Sequence, residues 1–256
     1  MTFINPLKDA RLSGKTLRGA WCASPSAAMA ETVASVGFEY VCVDMQHGVV
    51  DYADAVHMFM AIAGQGSAPI ARLVVNDPAL IGKVIDAGAL GIVVPLVNTA
   101  EEAAAAVAAT RYPPRGGRSF GPVRAGLAVG SKAIADLENI FVSVMVETAE
   151  GLDNVEGIAA VEGLDAIYCG PADLALAIGL EPAYERPEPE HEAAIRRIRE
   201  ACHRSDIIAG IHCADGAMAA RRQAQGFQMT TLMNDLALLR SAAAAELVMA
   251  SASVSS

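Results

Sequence analysis

The 256-residue sequence predicts an α/β protein, a (β/α)8 TIM barrel built as a single domain over residues 1–256. Three observations carry this reading. Short β-rich runs alternate with longer helical patterns from one end of the chain to the other. Several of the β-rich runs are continuously apolar, as parallel strands are when helices cover one face and a packed interior the other. The length also suits one barrel, which typically fills about 250 residues. Periodicity does not show closure, so a doubly wound open sheet stands as the alternative at this stage.

Taken in order, the strands are expected at 17–22, 40–44, 70–74, 91–95, 140–146, 166–169, 207–211 and 228–232. The helical patterns between them cover 26–36, 52–64, 78–87, 100–110, 151–160, 190–204, 216–225 and 235–251. Gly88, Gly163 and Gly226 follow helices, where a left-handed residue often ends the last turn. The Ala-rich stretches at 101–109 and 241–250 read as helix, because Ala is the best helix former and Val107, Leu247 and Val248 supply apolar contacts. Two long connections interrupt the alternation, a Gly/Pro/Arg-rich loop over 111–139 and a Pro-rich acidic one over 180–189. Loops of that length are functional or poorly ordered.

Composition narrows the function classes. With 53% hydrophobic residues the chain buries a large core, and global disorder is excluded. A net charge of −10 argues against binding nucleic acid, which needs basic patches. No apolar run approaches the ~20 residues of a membrane span, and no secretory signal is visible. Cys22, Cys42, Cys169, Cys202 and Cys213 form no Cys-x-x-Cys pair, which suits buried reduced thiols in a cytoplasmic protein.

Chemistry in a barrel sits at the C-terminal strand ends, and the unusual residues fall there. The second strand runs into Asp44-Met45-Gln46-His47-Gly48, the third carries Arg72, the fifth leads to Glu147, and the sixth is followed by Gly170-Pro171-Ala172-Asp173. Glu147 and Asp173 offer hard oxygen ligands suited to Mg²⁺ or Mn²⁺; equally, each fits an acid at the start of a helix. His47 with Asp44 reads as a base and its orienting carboxylate, or as a histidine hydrogen-bonded in a βα turn beside a helix cap. Arg72 in an apolar strand must meet an anion, either a substrate or a salt bridge to Glu147 or Asp44. His212 follows the seventh strand on the same rim, and Trp21 ends the first, as a rim or core residue. His57, His191 and His203 lie on helices, facing solvent or packing on a neighbour. No phosphate-binding glycine motif, serine elbow or strand-end lysine is present, and the last absence shifts weight from Schiff-base chemistry to a metal.

Gly19-Ala20-Trp21, Val43-Asp44-Met45-Gln46-His47-Gly48, Arg72, Val146-Glu147-Thr148, Gly170-Pro171-Ala172-Asp173-Leu174 and Tyr112-Pro113-Pro114 together resemble the HpcH/HpaI family of metal-dependent (class II) pyruvate aldolases, over nearly the whole chain. The resemblance implies an aldehyde-lyase that makes or cleaves a C–C bond between pyruvate or hydroxypyruvate and an aldehyde, through a metal-bound enolate. It places a divalent metal (Mg²⁺ or Mn²⁺, with Co²⁺ or Zn²⁺ as alternatives) on Glu147 and Asp173, and the enolate oxygen on Arg72. His47, oriented by Asp44, would move the proton through a water. Backbone amides at Gly170, Ala172 and Asp173 would hold the carboxylate, and Trp21 would wall the pocket. Asp86 matches a position that reaches a neighbouring subunit's site, implying a homo-oligomer, expected as a hexamer with the C-terminal helix at an interface. The chain departs from the family pattern at Gln46, Met145 and His212, which bears on the acceptor. Partners are thus a small 2-oxo acid and an aldehyde, with no nucleic acid and no membrane. Two other readings are a citrate-lyase-β-like acyl-CoA lyase, using Arg111, Arg115, Arg118 and Arg124 for the CoA phosphates, and a barrel that only binds its ligand.

Overall fold

The computed structural model describes residues 2–252. Eight parallel strands, β1 (Leu17–Cys22), β2 (Tyr40–Asp44), β3 (Ala68–Arg72), β4 (Gly91–Val94), β5 (Phe141–Val146), β6 (Ala166–Cys169), β7 (Ile208–Ile211) and β8 (Met229–Asn234), pair in sequence order. β8 pairs back onto β1, with a register shift at Gly19/Ala20, so the sheet closes and the open-sheet alternative falls.

Thirteen helices surround and plug it among the described residues. They are α1 (Pro6–Ser13), α2 (Ala27–Ala34), α3 (Tyr52–Gly64), α4 (Pro78–Asp86), α5 (Ala100–Ala109), α6 (Ala125–Val129), α7 (Ile134–Leu137), α8 (Ala149–Asp153), α9 (Val155–Ala159), α10 (Pro171–Ala177), α11 (Pro189–Arg204), α12 (Gly216–Ala224) and α13 (Asp235–Ala252). Most begin where a side chain can accept the free first-turn N–H groups: Ser26 caps α2, Asp77 caps α4, Thr99 caps α5 and Asp215 caps α12.

Residues alternate along each strand between two apolar layers. Ala20, Cys22, Val41, Val43, Ile92, Val142 and Val144 face the helices, whereas Leu17, Trp21, Tyr40, Cys42, Ile70, Val93, Phe141, Met145, Tyr168 and Met229 fill the barrel. Two tyrosine rings lie over the adjacent strand because their register partners there are glycines. A Cβ on Gly19 would lie 2.0 Å from Cζ of Tyr40, and one on Gly210 2.7 Å from Cδ2 of Tyr168. The Tyr168 hydroxyl pairs with Thr231. Sequence reading did not foresee α1, which closes the N-terminal end by inserting Leu7 among the barrel residues. Its cap, Asn5, accepts from Leu7 N and donates to the carbonyls of Leu90 and Asn139.

Other differences are local. β3 starts two residues early, with Pro69 inside the strand, where its carbonyl accepts from Leu90 N. The helix expected at 151–160 breaks at Asn154 into α8 and α9. The 111–139 loop folds into α6 and α7. α13 does not lie back across the barrel wall; its main contacts are with β1 and β8, while Leu238 and Leu247 are exposed. No helix among the described residues is long and apolar enough to cross a membrane.

Candidate active site

The C-terminal mouth of the barrel holds a cavity of about 190 Å³ lined by Trp21, Asp44, His47, Arg72, Gly170, Ala172, Asp173 and His212, all expected from the sequence. Met145, Tyr184 and Asn234 also line it and were not foreseen as site residues. Met145 was singled out only as a departure from family pattern. Asn234 is reached because β8 runs two residues further than its apolar pattern, and Tyr184 because the 180–189 connection folds over the mouth.

Asp44 ends β2 and Arg72 ends β3, at paired register positions, so their side chains meet inside the barrel. Nε of Arg72 donates to Oδ1 of Asp44 at 2.7 Å and Nη2 donates to Oδ2 at 2.6 Å. Both residues are about 5% exposed or less. Asp44 Oδ1 also accepts the backbone N–H groups of Gln46 and His47 at 3.0 and 3.1 Å. Burial alone would push the Asp44 carboxyl up, but Arg72 and these N–H groups outweigh it and hold it below the ordinary value. Asp44 therefore orients the backbone of the His47 turn and the guanidinium of Arg72. It does not bind the His47 ring as the sequence reading had it; that ring is exposed and without a hydrogen-bond partner among the described residues. The side-on pairing occupies two of the five N–H bonds of Arg72 and leaves Nη1 for a ligand. The guanidinium also lies 4.8 Å from the Trp21 ring centroid.

Glu147 follows β5 and is 4% exposed, with no basic hydrogen-bond partner among the described residues. Its Oε1 accepts from Leu96 N at 3.0 Å, a contact that holds Leu96 at a positive φ of 54°. Its other oxygen faces Gly170, where a Cβ would come within 2.6 Å, so only glycine leaves room beside the carboxylate. Burial pushes the Glu147 carboxyl up and the charge of Asp173 adds to this, against the Leu96 N–H and Arg72. A buried carboxylate beside an exposed one, with no cation between them, is a donor set that fits a hard divalent ion. Among the described residues no cluster of three or more His, Cys, Asp or Glu side chains forms a closed metal cage. Two carboxylates leave the remaining ligand positions to water or to a chelating substrate. The first turn of α10, with its N–H groups at Ala172 and Asp173, borders the same cavity.

His212 is wedged between aromatic rings. It meets the edge of Trp21 at 4.7 Å between centroids and stacks on Tyr184 at 5.4 Å. Burial and then the charge of Arg72 lower its pKa, against the pull of Asp44, to about 4.

The remaining expectations lie elsewhere. Asp86 is outside this cavity; its Oδ1 accepts from Nη2 of the buried Arg118 at 2.6 Å, in a groove shared with Tyr52, Lys83 and Arg124. His191 does not face solvent. It is 1% exposed and its Nε2 pairs with the carbonyl of Pro171 at 2.8 Å, bracing the start of α10. The loop arginines are used within the chain: Arg111 and Arg115 on Glu138, Arg118 on Leu137 and Asp86, and Arg124 on the Ala87 carbonyl. They do not form a free basic groove for CoA phosphates.

Comparison with known proteins agrees with this fold. The chain is 39% identical over 241 residues to a hydroxypyruvate/pyruvate aldolase of Rhizorhabdus wittichii, covering 94% of this chain and 96% of the relative. A hydroxypyruvate/pyruvate aldolase of Chromohalobacter salexigens is also 39% identical, with 93% and 94% covered. Among solved structures, an HpcH/HpaI aldolase/citrate lyase family protein from Burkholderia cenocepacia superposes with a TM-score of 0.89 at 31% identity, covering 96% of this chain and 99% of that one. The family model described as HpcH/HpaI aldolase/citrate lyase matches residues 17–242, and the chain belongs to that family.

Proposed function

We propose that this protein is a divalent-metal-dependent aldolase that joins pyruvate or hydroxypyruvate to an aldehyde, and cleaves the resulting 4-hydroxy-2-oxo acid. The observation that carries the reading is the Asp44–Arg72 pair in the same small cavity as Asp173, with the buried Glu147 carboxylate against Gly170 of the cavity wall. Glu147 and Asp173 would hold the metal, with Mg²⁺ or Mn²⁺ favoured by an all-oxygen set and Co²⁺ or Zn²⁺ as alternatives. Bound there, such an ion supplies Lewis acidity toward the carboxylate and keto oxygens of a 2-oxo acid and so acidifies the neighbouring C3–H.

The chain's own groups do the rest. The free N–H bonds of Arg72 face the oxygen on which negative charge grows as C3 loses its proton, and the guanidinium is already locked by Asp44, so no reorganisation is needed. N–H groups of Ala172 and Asp173 are available to the substrate carboxylate. His47, exposed on the rim, takes the C3 proton through a water. C3 then bonds to the aldehyde carbon, and the former carbonyl oxygen receives a proton as it becomes a hydroxyl. Trp21 and Met145 keep the floor apolar.

Self-association belongs to this reading. α13 carries apolar side chains that its own barrel leaves exposed, and a second copy of the chain would cover them, in a homo-oligomer expected to be a hexamer. Asp86 then serves a neighbouring site. The five buried, unpaired cysteines accord with a cytoplasmic location.

The test is aldol addition of pyruvate to glycolaldehyde by metal-loaded and chelated protein, with acyl-CoA thioesters offered in parallel. Formation of a 4-hydroxy-2-oxo acid only with metal supports the reading. Turnover of the thioester alone would replace it with the acyl-CoA lyase.

A further inference from the structure

Around the mouth, the charged groups occupy one arc. Asp44, His47 and Arg72 come from the β2 and β3 ends and Asp173 from the β6 end, with Glu147 after β5 set behind Gly170. The opposite arc, from β7 through β8 to β1, carries His212, Asn234 and Trp21, with Tyr184 laid over it from the 180–189 connection. Every one of these is an aromatic or amide side chain that can hydrogen-bond. The indole N–H of Trp21 is buried without a partner among the described residues. Asn234 Oδ1 accepts from Ala237 N, which leaves its amide N–H groups for the cavity. The one guanidinium on the cavity among the described residues, that of Arg72, is already paired with Asp44.

Resting on the aldolase reading, we infer that the Trp21–His212–Tyr184–Asn234 arc is the acceptor subsite and that it selects short, uncharged hydroxyaldehydes over aldehydes carrying a carboxylate. The 2-oxo acid belongs on the carboxylate arc, which leaves this arc for the aldehyde. A distal carboxylate there would be desolvated among aromatic rings, with the nearby Arg72 guanidinium already given to Asp44 and to the 2-oxo acid, whereas a hydroxyl finds several donors and acceptors. The low basicity of His212 agrees, since a neutral imidazole offers a hydrogen bond and no counter-charge. The cavity, about 190 Å³, has to take the 2-oxo acid as well, which favours a short acceptor.

The experiment compares kcat/KM for glycolaldehyde, its deoxy isostere propanal, and glyoxylate, each at fixed pyruvate and referred to the unhydrated aldehyde. Wild-type protein is expected to favour glycolaldehyde by roughly 5- to 10-fold or more over both, about the value of one hydrogen bond. His212→Phe should bring the glycolaldehyde/propanal ratio to within about twofold, a ratio measured inside one variant and so independent of its overall activity. Tyr184→Phe, on the exposed loop, repeats the test where His212→Phe fails to fold. Preference for glyoxylate, or a ratio that survives both variants, overturns the assignment. Pyruvate C3–H exchange in D₂O separates the two levels. Exchange without the acceptor preference refutes the subsite alone, and no exchange removes the aldolase reading with it.

Discussion

Replacing Arg72 by Lys keeps the positive charge and removes the planar fork. In the native site Nε and Nη2 bind both oxygens of Asp44 at 2.7 and 2.6 Å, and Nη1 remains for the substrate oxygen. A single ammonium cannot satisfy Asp44 bidentately and also face the substrate. Losing one preorganised donor to a developing oxyanion costs about 2.7–4 kcal/mol, or roughly 10²–10³ in kcat. Because the contact strengthens only as charge develops, KM for pyruvate should change far less than kcat. The fold should survive with a measurable penalty. One charge-assisted hydrogen bond in a buried pair is worth about 1.5–3 kcal/mol, which is several degrees in Tm for a chain of this size. Steady-state kinetics and thermal melts on metal-loaded protein measure both. A loss in kcat below ~10-fold, with the Tm shift present, would show that Arg72 is a structural ion-pair partner and not the oxyanion donor.

The remaining predictions follow from other contacts. Gly170→Ala should weaken Mg²⁺ or Mn²⁺ binding by roughly 10-fold or more in calorimetry, because the new Cβ would sit 2.6 Å from the Glu147 carboxylate. His212 has a folded pKa of about 4 against an ordinary 6.5, so the unfolded chain takes the proton first. Stability is therefore complete above pH 6.5 and falls as pH drops toward 4, by up to about 3 kcal/mol, and His212→Phe should flatten that part of the urea-melt profile. Leu238→Glu on α13 should reduce the mass seen by light scattering from a multiple of 26.5 kDa toward the single chain; an unchanged mass would place the interface elsewhere.

Much of the site was legible because a barrel converts sequence order into position. Any polar residue at the end of an apolar strand must sit on the C-terminal rim, and this alone gathered Asp44, Arg72, Glu147 and His212. What sequence order does not encode is where a side chain turns once it arrives. Asp44 lies three residues from His47, yet its carboxylate faces Arg72 on the next strand, and only the paired register of β2 and β3 decides that. Leu96 gave no signal at all: a leucine at positive φ looks like any loop leucine, and its role comes from an N–H aimed at Glu147 across 51 residues. Tyr184 belongs to a loop with no periodicity to read. The Asn5-Pro6 start of α1 was a readable helix signal, but its function as a plug depends on the open barrel end beneath it. The arginine loop had the composition of a phosphate groove, and its guanidinium groups are instead used on Glu138, Asp86 and nearby carbonyls.

The central claim is that these side chains, with a divalent metal, remove the C3 proton of pyruvate. Proton exchange at pyruvate C3 in D₂O, followed by NMR on metal-stripped protein before and after adding Mg²⁺ or Mn²⁺, tests it without any aldehyde. The account predicts exchange that appears with metal and drops at least 100-fold in Arg72→Lys. Metal binding confirmed by calorimetry with no exchange in either state would contradict it.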